Sequence, residues 1–249
     1  MSDEDRRSRW QSMIETLAVV VVAASIAWMT VTRASPGTVP PKPPTTRPDP
    51  PLPTEPVALA DAQLLGDSRA PIGLIIYSDF QCPYCGKFAR ETLPALRERY
   101  VRTGKVRLAF RQFPLPIHAS AQKAAEAAEC AGRQQRFWPF HDELFARQAA
   151  LDSADFEDLA RSAGLDTRAF TRCLAGETAA VVQTDRAGGS AAGVSGTPTF
   201  LAGPILPDGR LKVVRRFSGA QPLAEFERLL DQVIAGVAPQ LPQERTPQP

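Results

Sequence analysis

Ser78-Asp79-Phe80-Gln81-Cys82-Pro83-Tyr84-Cys85 places two cysteines, with two residues between them, directly behind an apolar run. Ahead of it, Ile72-Gly73-Leu74-Ile75-Ile76-Tyr77 has the length and composition of a buried β-strand. Behind it, Phe88, Leu93, Leu96 and Tyr100 recur at helical spacing from Pro83 to Tyr100, and Pro94 is predicted to kink that helix without abolishing its pattern. Val106 to Arg111 reads as a second strand. Strand, helix and strand in this order predict a parallel βαβ unit with the cysteine pair at its first turn.

A Cys-x-x-Cys pair where a strand ends and a helix begins sets the first sulfur beside unpaired backbone N–H groups and the positive end of the helix dipole. Cys82 is therefore expected to ionise easily. Pro83 suits the first helical position, since its missing N–H would have no partner there. Cys85, one turn in, lies on the same side and can close or resolve a disulfide. The chemistry implied is thiol–disulfide exchange through a mixed disulfide, with no cofactor. Half of a zinc site has the same spacing, but His118, His141, Cys130 and Cys173 are not in ligand-pair spacing, so no metal is assigned.

Outward from this centre, His118 to Ala192 is rich in alanine, leucine and charge, broken by Asp152-Ser153, Gly164 and Gly176, and reads as consecutive helices. Thr199 to Ala202 and Leu211 to Phe217, around Pro207-Asp208-Gly209, read as a hairpin, and Leu223 to Ile234 as a closing amphipathic helix. Trp138, Phe140 and Phe145 sit at core-like spacing. His118 and His141 read as structural histidines, with His118 able to border the active-site groove.

Both ends have other compositions. Residues 1–12 are polar and partly basic, and 13–32 are an apolar transmembrane anchor or a cleaved signal segment. Arg6, Arg7 and Arg9 before the run, against Arg33 after it, predict a cytoplasmic N-terminus and an exported remainder. Residues 33–56 form a proline-rich linker suited to polyproline II, 57–238 a folded domain, and 239–249 a disordered tail. With 29 basic against 27 acidic residues and no basic run, the chain lacks the charge footprint of a nucleic-acid binder.

The stretch from Ser78 to Cys85 resembles the active-site signature of the DsbA-like branch of the thioredoxin superfamily. Gly196-Thr197-Pro198-Thr199-Phe200 is similar to the cis-proline loop of that family. Phe113-Pro114-Leu115-Pro116 with His118 is similar to the segment after its second strand, and Phe137-Trp138-Pro139-Phe140-His141-Asp142 to a helix of its inserted domain. The resemblance implies an α/β thioredoxin-like fold interrupted by an all-helical subdomain at about 117–192. It implies catalytic Cys82 and Cys85, a thiolate supported by Pro83 and Tyr84, and a cis bond at Thr197-Pro198 that leaves the Thr197 backbone free to pair with a substrate strand. A disulfide between Cys130 and Cys173 is similar to one in some relatives; two buried thiols are the other arrangement. The chain departs from several relatives at Ile75 and Ile76, where they carry a buried acid that moves protons to the resolving cysteine. Asp79 is the acidic residue close by in sequence.

The expected activity is thiol–disulfide exchange on exported proteins, in the periplasm or another extracytoplasmic space, held by the N-terminal helix or released if it is cleaved. A membrane redox partner, quinone-linked oxidase or electron donor, is the expected counterpart. Oxidation of client proteins is the leading role, with reductase, isomerase and non-catalytic binding module as alternatives.

Overall fold

The computed structural model describes residues 50–237. The expected N-terminal stretch, the anchor or signal segment, most of the proline-rich linker and the tail lie outside the described residues. Among the described residues no helix is long and apolar enough to cross a membrane.

The apolar run becomes β3 (Ile72–Ser78), buried at every position. Alternating side chains serve two cores: Ile72, Leu74 and Ile76 face one cluster, Ile75 and Tyr77 the other. A strand covered on both faces explains why the run is continuously apolar rather than alternating with polar residues. The expected βαβ unit is present, for β4 (Val106–Gln112) lies parallel to β3 with Leu74 opposite Leu108 and Ile76 opposite Phe110. On the other side β3 pairs antiparallel with β5 (Thr199–Pro204), and β5 with β7 (Arg215–Ser218). With β2 (Gln63–Leu65) antiparallel to β4, the sheet order is β2-β4-β3-β5-β7.

Between the parallel strands runs helix α1 (83–101). It is α-helical over Pro83–Lys87, widens to a π-turn over Phe88–Thr92, resumes at Leu93–Leu96 and widens again over Arg97–Val101. Pro94 has no N–H, and its ring crowds the carbonyl four residues earlier. The wider turn just before it takes up that mismatch, and the helix continues to Val101.

The insertion contains α2 (Ala121–Arg133), α3 (Phe137–Ala146), a 3-10 turn at Gln148–Ser153, α4 (Phe156–Ser162), α5 (Thr167–Leu174) and α6 (Ala179–Ala191). As read from the sequence, no strand interrupts it. Asp155 and Asp166 cap α4 and α5 by accepting from backbone N–H groups of the first turn. The face of α2 that includes Ala124, Ala127, Ala128 and Ala131 is buried, small enough for neighbours to approach closely. Cys130 of α2 and Cys173 of α5 form a disulfide.

The hairpin needs correction. Leu211 to Phe217 is not one strand: β6 (Arg210–Leu211) pairs with β1 (Val57–Ala58) in a separate two-stranded sheet, and only Arg215–Ser218 follows β5. The chain crosses over Gly203, where a Cβ would stand 1.9 Å from the Lys212 carbonyl oxygen, so the backbones meet where a side chain would normally hold them apart. Bonds from Lys212 N to Pro204 O and from Val214 N to Ala202 O bridge the bend. Ahead of β1, the carbonyls of Pro50 and Pro51 accept from Arg216. The closing helix α7 (Leu223–Val237) runs past the expected Ile234 and buries Phe226, Leu230, Val233 and Val237.

Candidate active site

Cys82 is the N-cap residue of α1 with Pro83 in the first turn. Its backbone is held on both sides: its N–H donates to Asp79 O, and its carbonyl accepts from Gly86 N, each at 3.1 Å. Phe80 drives the loop inward. Its ring lies 5.0 Å from Phe145 and 5.6 Å from Phe110, so the motif is anchored at the seam between sheet and insertion. Such aromatic contacts add to area burial and fix geometry.

The two thiols are strongly unequal. A hydrogen bond from the Cys85 thiol lowers the Cys82 pKa to about 5; burial opposes this, while the Thr197 side chain and the N–H groups of Cys85 and Tyr84 add to it. The helix terminus named by the sequence does contribute, but the partner thiol is the larger cause. Cys85 is fully buried, and burial first, then the neighbouring Cys82, push its thiol well above the ordinary range; the Ser78 hydroxyl and the Asp79 N–H act in the other direction. The arrangement offers one ready nucleophile and one proton-retaining partner.

Opposite the pair, the Thr197-Pro198 peptide is cis. The Cys82 thiol lies 3.3 Å from Thr197 O, and the Thr197 side chain, whose Oγ1 is buried, is the one that helps hold the Cys82 pKa down. Tyr84, expected to support the thiolate, contributes its backbone N–H, while the residue itself is 64% exposed and free to meet another molecule.

Asp79 is buried, yet its carboxylate does not face the thiols. Oδ1 accepts from Gln81 N at 2.7 Å, and Oδ2 accepts from Leu115 N at 2.8 Å and from His118 Nδ1 at 2.6 Å. Only its backbone N–H reaches Cys85, at 3.5 Å from Sγ. His118, read as structural with access to the groove, thus joins the site through Asp79. His141 packs among Phe80, Phe110, Phe137, Trp138 and Phe145, and burial lowers its pKa. The residues offered as further zinc ligands are therefore engaged elsewhere: His118 with Asp79, His141 with Asp142, and Cys130 with Cys173.

The sequence reading missed Gln148. Its Nε2 donates to Phe80 O and Cys82 O, both at 2.8 Å. Gln81 is held from the same side, accepting from Ser120 N and donating to Asp152 Oδ1. A glutamine in a polar turn, more than sixty residues downstream, carries no sequence signal of this kind.

A family profile described as thioredoxin matches residues 60–231, most of the chain. The Na(+)/H(+) antiporter NhaA 1 of Salinispora arenicola is 42% identical over 137 residues, 54% of this chain and 20% of that protein. The probable disulfide bond formation protein D of Bacillus cereus is 37% identical over 93 residues, 36% of this chain and 43% of that one. The chain thus spans about a fifth of the first relative and under half of the second. Among solved structures, Wolbachia pipientis alpha-DsbA1 superposes with a TM-score of 0.65 at 24% identity, over 74% of this chain and 96% of that one. Oxidised BdbD from Bacillus subtilis gives 0.60 at 22% identity, over 73% and 97%. With the family profile spanning the sheet, the cysteine pair and the insertion, the chain belongs to the thioredoxin family and has the fold of its DsbA-like members.

Proposed function

We propose that this chain is an extracytoplasmic thiol–disulfide oxidoreductase that donates disulfides to exported proteins through Cys82 and Cys85. The observation that carries the reading is the inequality of the two thiols: Cys82 is stabilised as thiolate near about 5 while buried Cys85 keeps its proton. Stabilising the reduced form of a dithiol makes its disulfide a stronger oxidant. The name of the Bacillus cereus relative, a probable disulfide bond formation protein, agrees with that direction. Ion transport is named for the antiporter relatives, of whose first this chain matches a fifth of the length.

A substrate thiolate attacks Cys82 Sγ of the Cys82–Cys85 disulfide. The Cys85 sulfur leaves with the electron pair and takes up a proton, and Cys82 remains bonded to substrate. A second substrate thiolate attacks the substrate sulfur of that mixed disulfide, expelling the Cys82 thiolate. The substrate has lost two electrons, which now reside on the Cys82–Cys85 dithiol. Thr197, whose backbone faces Cys82, is placed to hold the extended substrate strand. Return to the disulfide requires an electron acceptor, for which a membrane redox partner reached through the N-terminal segment is the proposed source. The Cys130–Cys173 bridge stays outside the cycle and braces the insertion.

The test is the reduction potential of the pair in glutathione buffers, with Cys82→Ser as control and Cys85→Ser to trap the mixed disulfide. A potential near about −120 mV and trapped exported clients are expected; a value near about −270 mV would indicate a reductase. The absence of any titratable couple would remove the enzyme reading.

A further inference from the structure

We infer that Gln148 is a positioning residue for Cys82, and that through it the helical insertion sets the reactivity of the redox pair. This deepens the oxidoreductase reading and rests on it.

Both hydrogens of the Gln148 amide are used on the active-site loop, at the carbonyls of Phe80 and Cys82. These two carbonyls bracket Gln81, so holding both fixes the peptide planes that lead into the N-cap. The thiolate depends on the N–H groups of Tyr84 and Cys85, and their aim depends on that same turn. The amide has one satisfying orientation. Its Oε1 accepts from Arg90 Nη1 at 3.4 Å, and Arg90 also donates to Phe145 O at 3.0 Å. Reversed, the amide would set oxygen against two carbonyls and NH2 against a guanidinium, with no bond possible on either side.

An independent observation comes from Gly86, next to Cys85. A Cβ on Gly86 would stand 2.0 Å from Gln148 Oε1 and 2.8 Å from Arg90 Nη1. Glycine inside a helix costs about 1 kcal/mol relative to alanine. Here its bare backbone is the space the amide occupies. Arg90 from α1, Gln148 from the insertion and the loop carbonyls form a single latch across the two parts of the domain. Any shift of the insertion is thereby transmitted to the backbone that holds Cys82.

The experiment uses the full chain, with the bridge at Cys130–Cys173 verified by thiol count. Gln148→Met keeps the side-chain length but cannot donate; Gly86→Ala keeps Gln148 and expels its amide. For each variant and the double variant, two quantities are read: the midpoint of Cys82 ionisation, from thiolate absorbance against pH, and the equilibrium constant with glutathione. The expected result is a rise of about half to one unit in the midpoint. The constant should fall by up to tenfold, about 30 mV, with the double variant no further shifted than the singles because one contact is removed twice. Unchanged midpoint and constant alongside a lowered melting temperature would reduce Gln148 to a structural role and overturn the inference, as would a shift in one single variant without the other. The unmutated chain is titrated first, and failure there to show a redox couple would count against the oxidoreductase reading itself.

Discussion

Reduced and oxidised forms of the chain should differ in how their stability depends on pH. In the reduced form Cys82 titrates near about 5 when folded, against about 8.5 for a cysteine in an unfolded chain. A depressed folded pKa contributes stability that is full above the unfolded value and is lost as pH falls through the folded one. Cys85, held well above the ordinary range, stays protonated between pH 5 and 7 and adds nothing there. The oxidised form has no titrating sulfur in the pair. At about 1.36 kcal/mol per unit, Cys82 alone would remove about 2.3 kcal/mol between pH 7 and pH 5; solvent screening brings the expected change to about 1–2 kcal/mol. Every other carboxylate and histidine titrates in both forms, and the effect of the short bridge on the unfolded chain does not depend on pH, so both cancel in the comparison. The assay is urea unfolding of reduced and oxidised protein at the two pH values, with Cys130–Cys173 intact. The stability of the reduced form relative to the oxidised should drop on acidification, and Cys82→Ser, which has no thiolate and cannot form the bridge, should follow the pH dependence of the oxidised protein. A gap between the two forms that is the same at both pH values would refute the thiolate assignment.

Further outcomes follow from the packing. Replacing both Cys130 and Cys173 by alanine opens a loop with a sequence separation of 43; denaturant unfolding should show a loss of about 2–4 kcal/mol, with the Cys82–Cys85 potential unmoved. Asp185→Ala strands Arg111, whose guanidinium pairs with Asp185 at 2.6 Å and donates to Ala58 and Ala60 carbonyls; the expected cost is about 3–5 kcal/mol by the same measurement. Gly203→Ala forces a Cβ against the Lys212 carbonyl oxygen and should cost at least about 2 kcal/mol, with faster hydrogen exchange at Val214 N as its local sign.

The parts of the fold that were legible in the sequence are those whose signal is local. The run at Ile72–Tyr77, the helical spacing of Phe88 to Tyr100 and the alanine-rich insertion each write their element into consecutive residues, because a strand buried on both faces and an amphipathic helix need those patterns. The strands at Val57–Ala58 and Gln63–Leu65 were not legible. At two and three residues they are too short to show a period, and they exist because Leu211 and Phe110 offer backbone partners far along the chain. The broken hairpin has the same origin: Leu211 to Phe217 has strand composition throughout, and only the approach over Gly203 decides where it bends.

The site divides in the same way. Cys82 and Cys85 were recognisable because residue type and short spacing carry their chemistry, and the Thr197-Pro198 loop through the resemblance of its sequence to a family motif. What tunes them was not, since it is supplied by side chains whose types are ordinary and whose partners are remote. Asp79 could be suspected from its position, but sequence could not tell that its carboxylate turns away from the thiols to His118, 39 residues on. Gly86 is the instructive case. Read locally it is an unfavourable residue in a helix, with no reason given; read with Gln148 it is the opening through which the insertion reaches the active-site backbone. A residue that weakens its own helix and makes room for a distant hydrogen-bond donor is evidence that the contact, rather than the helix, constrains that position. The insertion therefore does more than enlarge the core: it holds the loop from which the reactive sulfur projects.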